Sequence, residues 1–330
     1  MTVVIPTLAN DAAWRDCLRS LERQTFRDFE VTIVDNSGRR VVSLESSGCN
    51  ARVLHSPSNT GFGAAINRAA RESAAPFIAA FNDDAEAEPQ WLEALHNAVT
   101  ADPRLGMAAS RVLLAESGLI DSAGMLLSAD ASTKQRGHRR PEEDFSRDEE
   151  ALFPSGSAAL YRRELFSECG GYDESFFLYC EDSDLGLRAH WAGYSCRYVA
   201  GARVSHRYSH SAGRASALKA YLVERNRLRL AVKNFPLSML LRLPAATLAR
   251  YWAHFRSIGS GSGAAAEFAR HESPIRLVWF AIKAHLALLP ALPALLRERR
   301  RILSTARMTA TEFRALARRH AISPREVAAQ

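Results

Sequence analysis

The chain opens with two apolar, β-branched runs that stop at turn residues, TVVIPT at 2–7 and FEVTIVDNSG at 29–38. That is the pattern of buried parallel strands. Between them Trp14, Leu18 and Leu21 recur at helical spacing, so the order is strand, helix, strand. RVLHS predicts a third short strand, GFGAAINRAARESA a glycine-led, alanine-rich helix, and PFIAAFNDD a fourth strand. PQWLEALHNAVTAD predicts a helix with proline near its first turn and Trp91, Leu95 and Val99 along one face. This alternation predicts the α/β class, with a doubly wound, mostly parallel sheet whose ligands bind beyond the carboxyl ends of its strands. Three acid-bearing turns fall at those ends.

Regularity falls away in the middle. RVLLAESGLIDSAGMLL reads as paired strands, and the polar segment 128–150, SADASTKQRGHRRPEEDFSRDEE, as a mobile surface loop or lid. SDLGLRAHWAGY predicts a short helix with Gly193 just past its end. GARVSHRYSHSAG predicts a strand followed by His206 and His210, and GSGSGAAA at 259–266 a linker. The stretch 277–296, LVWFAIKAHLALLPALPALL, has the length of a bilayer span. Lys283, His285, Pro290, Pro293 and the RERRR that follows favour instead a helix lying in the interface, its basic residues towards anionic headgroups, with packing in a helical bundle as the other alternative.

Composition sharpens this division. With 47% hydrophobic and 24% charged residues, the 330-residue chain is not disordered wholesale. Its net charge of +7 is uneven: from Ala215 onward 20 Lys and Arg face 6 Asp and Glu, whereas residues 1–214 hold 23 against 30. The basic rear shares its arginines with long Leu/Ala runs and little interleaved aromatic surface, which favours a membrane over nucleic acid. Five scattered cysteines (Cys17, Cys49, Cys169, Cys180, Cys196) without a C-x-x-C pair argue against a disulfide framework or structural zinc and fit a reducing compartment. MTVVIPTLAN reads as a first strand, not a signal peptide.

Several stretches bear chemistry. Asn82–Asp84 close the strand FIAAF; carboxylates there suit a hard divalent cation that bridges two phosphates, or a plain strand-ending turn. NTGFGAAIN, Asn59 to Asn67, could turn backbone N–H groups to a phosphate, or simply pack a helix on the sheet; Ile66 rules out the dinucleotide fingerprint. Asp35 in IVDNSG stands at a strand end as a nucleobase or ribose acceptor, or as a turn residue. In FFLYCEDSDLGLR, Asp182 reads as a helix cap and Asp184–Arg188 as an i,i+4 pair, which leaves Glu181 and the apolar run before it unexplained. An acid among aromatic residues has its pKa raised and can act as a general base. His206, 24 residues after Asp182, is either structural or part of a metal site.

Taken in order, VVIPT, VDNSG, NTGFGAAIN, FNDDAE, GSAALYRRELFSECGGYDESFFLYCEDSDLGLR and VSH resemble the inverting family-two glycosyltransferases of the GT-A fold, in particular the bacterial rhamnosyltransferase and galactofuranosyltransferase branch. The likeness covers roughly residues 1–235, including YLVERNRLRLAVKNFP, and the GGYDESFFLYCEDSDLGLR block is its most specific part. The resemblance implies a GT-A catalytic domain over 1–214, with a nucleotide-sugar half to about 110 and an acceptor half over about 111–214, and a basic helical, membrane-associating region over 215–330. It implies Asp35 at the nucleotide base, and Asn59, Gly61 and Asn67 along the nucleotide and diphosphate. Asn82 and Asp84 would form the ends of a D-x-D-like motif with Asp83 between them, Asp182 of the Glu181–Asp182 pair the general base, and His206 a further ligand of Mg²⁺ or Mn²⁺. Two positions depart from the pattern. Asn82 replaces the first aspartate, which either weakens metal binding or rests it on Asp84 and His206, and Arg68 stands where many relatives have glycine. The implied partners are a nucleoside-diphosphate sugar, dTDP-rhamnose favoured, and a lipid-linked or polysaccharide acceptor at the cytoplasmic face of the plasma membrane. A nucleotidyltransferase would need a basic, glycine-rich loop after the first strand, and PTLAND is neither. A non-catalytic nucleotide- or glycan-binding descendant would have lost Asp84, Asp182 or His206, and all three are present.

Overall fold

The computed structural model describes residues 1–44, 50–207, 217–260, 268 and 273–330. Cys49, His210 and the predicted linker beyond Ser260 lie outside the described residues.

The opening runs form the sheet's centre. Strand β1 (Thr2–Thr7) pairs in parallel with β2 (Glu30–Asp35) and β4 (Phe77–Phe81), and β3 (Ala51–His55) extends in parallel from β2. Helices α1 (Ala13–Glu22), α2 (Phe62–Arg71) and α3 (Trp91–Ala101) occupy the predicted positions. Trp14, Leu18 and Leu21 of α1 and Trp91, Leu95 and Val99 of α3 are buried in one apolar core with Val3, Ile5, Val31 and Ile33. At about 25 cal/mol per Å² of apolar surface, such continuous burial holds the helices onto the sheet.

The later strands are β5 (Ala85–Ala87), β6 (Leu105–Leu114), β7 (Ile120–Ser122), β8 (Met125–Leu127), β9 (Thr133–Gln135), β10 (Glu149–Ala151), β11 (Ala158–Arg162) and β12 (Ser195–His206). Among the described residues ten strands make one sheet along β10-β12-β6-β11-β4-β1-β2-β3, with β5 on β12 and β7 on β6, while β8 and β9 pair separately. Strand β11 runs antiparallel between β4 and β6, whereas β12 is parallel to β6. Helix α4 (Arg163–Glu168) follows β11, and α5 (Glu181–Trp191) precedes β12.

Segment 128–150 is not the expected mobile loop. It contributes β9 and the sheet strand β10, and it buries Asp130, Ala131 and Phe145. Arg136 and Arg140 lie over the Phe145 ring, at 5.5 and 5.3 Å from its centroid. A segment rich in charge folds here because its few apolar residues are anchors and its arginines cover them.

By internal contacts the chain forms two compact units: Met1–Met125, Gln135–Ala189 and Gly193–Ser211, and then Leu126–Lys134, His190–Ala192 and Ala212–Gln330. The second unit is helical: α6 (Ala217–Asn234), α7 (Leu237–Leu240), α8 (Leu243–Ser260), α9 (Pro274–Leu286), α10 (Leu288–Ser304), α11 (Ala310–Arg319) and α12 (Pro324–Ala329). Its interior holds a buried ionic cluster. Glu224 of α6 binds Arg227 and Arg250, the latter at 2.6 Å, and accepts from the Tyr251 hydroxyl at 2.6 Å. Asp130 lies 2.5 Å from Arg250 and 3.6 Å from Arg227. Surface apolar residues are plentiful in this unit; Leu241, Leu248, Trp252, Phe255, Ile275 and Trp279 are each more than half exposed. The apolar stretch at 277–296 is not one helix. It breaks between α9 and α10, which meet at a 49° bend, and no single helix among the described residues is long and apolar enough to cross a membrane. Pro290 explains the break, since it cannot donate the N–H that would carry α9 onward.

Candidate active site

Strand β4 is buried at every position and delivers Asn82, Asp83 and Asp84 at its carboxyl end. Asp83 turns towards β1, where Thr7 Oγ1 donates to its Oδ2 at 2.6 Å. Burial, reinforced by Asp84 and Asp11, pushes the Asp83 pKa up to about 6. Asp84 faces the last residue of β12: His206 Nε2 lies 3.2 Å from Asp84 Oδ1 and 3.2 Å from the Asn82 amide nitrogen. Across the ring, His206 Nδ1 is 2.8 Å from Asp121 Oδ2, and Asp121 Oδ1 is 3.3 Å from His138 Nδ1. Burial disfavours the imidazolium, but hydrogen bonds to Asp121 and Asp84 prevail and raise the His206 pKa to about 10.

Among the described residues no three His, Cys, Asp or Glu side chains converge as a complete cage. Asp84 and His206 nonetheless present an oxygen and an imidazole nitrogen to one point, 3.2 Å apart. That donor pair fits a divalent ion whose shell is completed by phosphate oxygens and water. Asn82 turns its amide nitrogen, not its oxygen, to the ring, so it would become a ligand only after its amide rotates.

The second acidic centre begins α5. The chain arrives through Phe177, Tyr179 and Cys180, which have φ of 65°, 70° and 66°, conformations that each cost about 1–3 kcal/mol for a non-glycine residue. This loop is held from α2: Phe62 N–H donates to Phe177 O at 2.9 Å. Gly61, with φ 90° and ψ 167°, passes so close that a Cβ there would meet Phe177 O at 2.2 Å. Helix α5 starts at Glu181, so Asp182 lies inside the first turn and is not the cap. Its Oδ1 accepts from Ser183 N–H at 2.6 Å and Ser183 Oγ at 3.0 Å, and its Oδ2 accepts from Gly156 N–H at 2.9 Å. Burial raises the Asp182 pKa despite these donors. Glu181 is 6% exposed, and its Oε2 has no hydrogen-bond partner among the described residues. Burial and the neighbouring Asp182 lift its pKa to about 8, so Glu181 carries its proton at neutral pH.

Residues 155–157 join the two centres, because Gly156 N–H holds Asp182 while Ser157 O accepts from Asn82 N–H at 2.9 Å. The Asp184–Arg188 pair, at 2.8 Å, is buried and not a surface pair. Arg188 also donates to Cys169 O at 2.6 Å and Gly171 O at 2.8 Å, which ties the GGY turn to α5.

Two donor-side expectations change character. Asp35 is fully buried, and its oxygens accept from Ser37 N–H and Oγ and from Val42 N–H, with His55 Nδ1 at 3.1 Å. Burial opposes its charge, yet these partners hold its pKa down at about 2. With its acceptor capacity spent, Asp35 organises the loop after β2 and presents no free oxygen. Asn67, also buried, gives its amide to Tyr172 O at 2.8 Å and Glu174 Oε1 at 3.0 Å and accepts from Tyr172 N–H at 2.9 Å. It is a brace for the GGYDE turn. Asn59 Oδ1 accepts from Gly61 N–H at 3.0 Å and from Asn36 Nδ2 at 3.1 Å, and Arg68 reaches His55 O at 2.9 Å. Asn36, Asp121, His138 and Gly156 escape sequence reasoning. An asparagine in a turn, one acid in a short strand and a histidine in a charged segment have no local pattern, and Gly156 matters through its backbone alone.

The Glycosyl transferase family 2 model matches residues 2–170. The N-acetylglucosaminyl-diphospho-decaprenol L-rhamnosyltransferase of Mycobacterium tuberculosis is 31% identical over 233 residues, covering 62% of this chain and 75% of that protein. The O-antigen chain rhamnosyltransferase WbaN of Salmonella anatum is 25% identical over 218 residues, 64% of this chain and 67% of that protein. Among solved structures, GalNAc-T7 with UDP, GalNAc and Mn²⁺ superposes with a TM-score of 0.56 at 14% identity, over 78% of this chain and 50% of that one. TarS residues 1–349 of S. aureus gives 0.51 at 16% identity, over 96% and 90%. At such identities the structures speak for the fold alone, and it is GT-A: a mostly parallel sheet flanked by helices.

Proposed function

The chain belongs to glycosyl transferase family 2 and is a glycosyltransferase, and on that premise we propose that it moves a sugar from a nucleoside diphosphate to a lipid-linked acceptor with inversion. The carrying observation is the short segment 155–157, which holds Asp182 through Gly156 N–H and the Asn82 turn through Ser157 O. A proton acceptor and the turn that leads to Asp84, hydrogen-bonded to one three-residue connector, suit a displacement that needs both ends at once.

Asp182 takes the proton of the acceptor hydroxyl as the oxygen attacks the anomeric carbon, and the bond from that carbon to the diphosphate breaks on the opposite face. Ser183 and Gly156 N–H groups orient the carboxylate, an arrangement worth about 10²–10⁴ in rate. Glu181 beside it is the second member of the catalytic pair. A Mg²⁺ or Mn²⁺ held by Asp84 and His206, with Asn82 beside them, would neutralise charge on the leaving diphosphate. Asn59, Gly61 and Asp83 line the donor side, while Asp35 and Asn67 act by fixing the turns around it. The rhamnosyltransferase relatives support rhamnose as the sugar, and the mycobacterial one a diphospho-prenol glycan as acceptor; dTDP is the nucleotide favoured here.

The catalytic domain is taken as residues 1–214 and the basic helical region as 215–330. The exposed apolar residues of α8 and α9, with the arginines of α10, support attachment of that region to anionic lipid at the cytoplasmic face. Calorimetric titration with UDP, dTDP and GDP, with and without Mn²⁺, tests the donor reading. One nucleotide should bind only with metal and fail with Asp84→Ala, and Asp182→Asn should bind it normally yet transfer nothing. Metal-independent binding, or a fully active Asp182→Asn, would defeat the proposal.

A further inference from the structure

Beyond the two cation donors, we propose that Asp121 is the positioning residue that makes His206 a metal ligand: it holds the imidazole by Nδ1 and thereby aims Nε2 at Asp84. The inference rests on the metal-dependent reading above. Strand β6 lies between the two residues, since β7, which carries Asp121, pairs with one edge of β6 and the end of β12, which carries His206, with the other. Asp121 is 2% exposed and His206 6%, and their contact is 2.8 Å.

The chemistry explains why such a partner is needed. A neutral imidazole can bind a cation only through the nitrogen without a proton, and the torsion that swings the ring is soft. An acceptor at Nδ1 selects the tautomer whose lone pair is on Nε2 and stops the ring from turning. Asp121 is itself buttressed from 136–140, the part of the chain that charge pattern alone predicts to be mobile. His138 Nδ1 reaches both Asp121 Oδ1, at 3.3 Å, and the Asp121 carbonyl, at 3.1 Å. Ile120 N–H donates to Arg140 O and Ala123 N–H to Arg136 O, each at 2.9 Å, so backbone bonds clamp that segment on both sides of Asp121. The order of support therefore runs from 136–140 to Asp121, to His206, to the cation.

The test is Mn²⁺ titration of the full chain, with free Mn²⁺ followed by electron paramagnetic resonance, for wild type, Asp121→Ala, Asp121→Asn and His206→Ala. Loss of an orienting partner typically weakens metal affinity about 10–100-fold. Asp121→Ala should show that loss, Asp121→Asn a smaller one because its amide oxygen still accepts, and His206→Ala the largest. In parallel, ¹⁵N NMR of wild type with Mg²⁺ should find the His206 proton on Nδ1; a proton on Nε2 overturns the proposal without recourse to any variant. Wild-type affinity in Asp121→Ala overturns it too and leaves the cation reading standing, whereas absence of Mn²⁺ binding in wild type, both alone and with UDP, dTDP or GDP present, removes both.

Discussion

Gly61→Ala is a one-methyl change with two separable costs. At φ 90° and ψ 167° the residue occupies a region that is almost exclusively glycine's, and an alanine there costs about 1–3 kcal/mol. The new Cβ would also sit 2.2 Å from Phe177 O and 2.9 Å from Phe177 C and Cα, all backbone atoms that no side-chain rotation can remove. Restoring ordinary contact requires the Phe177 carbonyl to retreat by about 1 Å, and forced repacking of this kind typically adds about 1–3 kcal/mol. Together the loss of stability is about 2–6 kcal/mol. The displaced loop runs directly into Glu181 and Asp182, and a misplacement of about 1 Å at a catalytic group can cost about 10²-fold in rate. Urea unfolding and initial transfer rates measure the two effects. Gly118→Ala is the control: φ there is 69° but nothing lies within 4 Å of the added Cβ, so it should lose about 1–2 kcal/mol and no activity. If Gly61→Ala matched wild type in both stability and rate, the interlock between residues 61 and 177 would not exist in solution.

Two further outcomes follow from buried carboxyls. Glu181 holds its proton up to a pKa of about 8 when folded, against an ordinary 4.5, so folding takes up a proton between those values and stability falls as pH rises through that window. The slope is about 1.4 kcal/mol per pH unit for one proton; Glu181→Gln should remove that contribution in unfolding experiments from pH 5 to 8, and an unchanged slope would mean that Glu181 is ionised. Glu224 is the opposite case: burial opposes its charge, but Arg250 and Arg227 hold its pKa at about 2. Its contribution is complete above about 4.5 and is lost as pH falls towards 2, and Glu224→Gln should cost about 3–5 kcal/mol at pH 7 by leaving two buried arginines under-compensated. A loss below 1 kcal/mol would show Asp130 to be a sufficient counter-ion.

The parallel strands and their helices were legible because burial on both faces leaves an uninterrupted apolar signature, as in TVVIPT and FIAAF, and helical spacing marks Trp91, Leu95 and Val99. Asn82, Asp84, His206 and the Glu181–Asp182 pair were legible as an amide, acids and a histidine at strand or helix ends. What escaped was set by tertiary contact. Segment 128–150 looks like solvent-borne chain because its anchors are only a few apolar residues such as Ala131 and Phe145, and charge outnumbers them. Asp35 and Asn67 stand at the expected places, yet whether a carboxylate or an amide faces a ligand or the adjoining backbone depends on partners up to 107 residues away, as with Asn67 and Glu174. Asp121 and His138 acquire meaning only once β6 has brought β7 beside the end of β12.

The Asn82 turn and His206 are 124 residues apart in the chain although their side chains touch. A ribosome adding about 5–20 residues per second needs several seconds to cover that distance. During that interval the growing polypeptide already contains strands β1 to β4 but not the imidazole, nor the Asp182 carboxylate that comes shortly before it. On the function proposed above, a chain ended before these residues would lack both the partner of Asp84 and the base for transfer, so the separation in sequence would tie both to completion of the sheet.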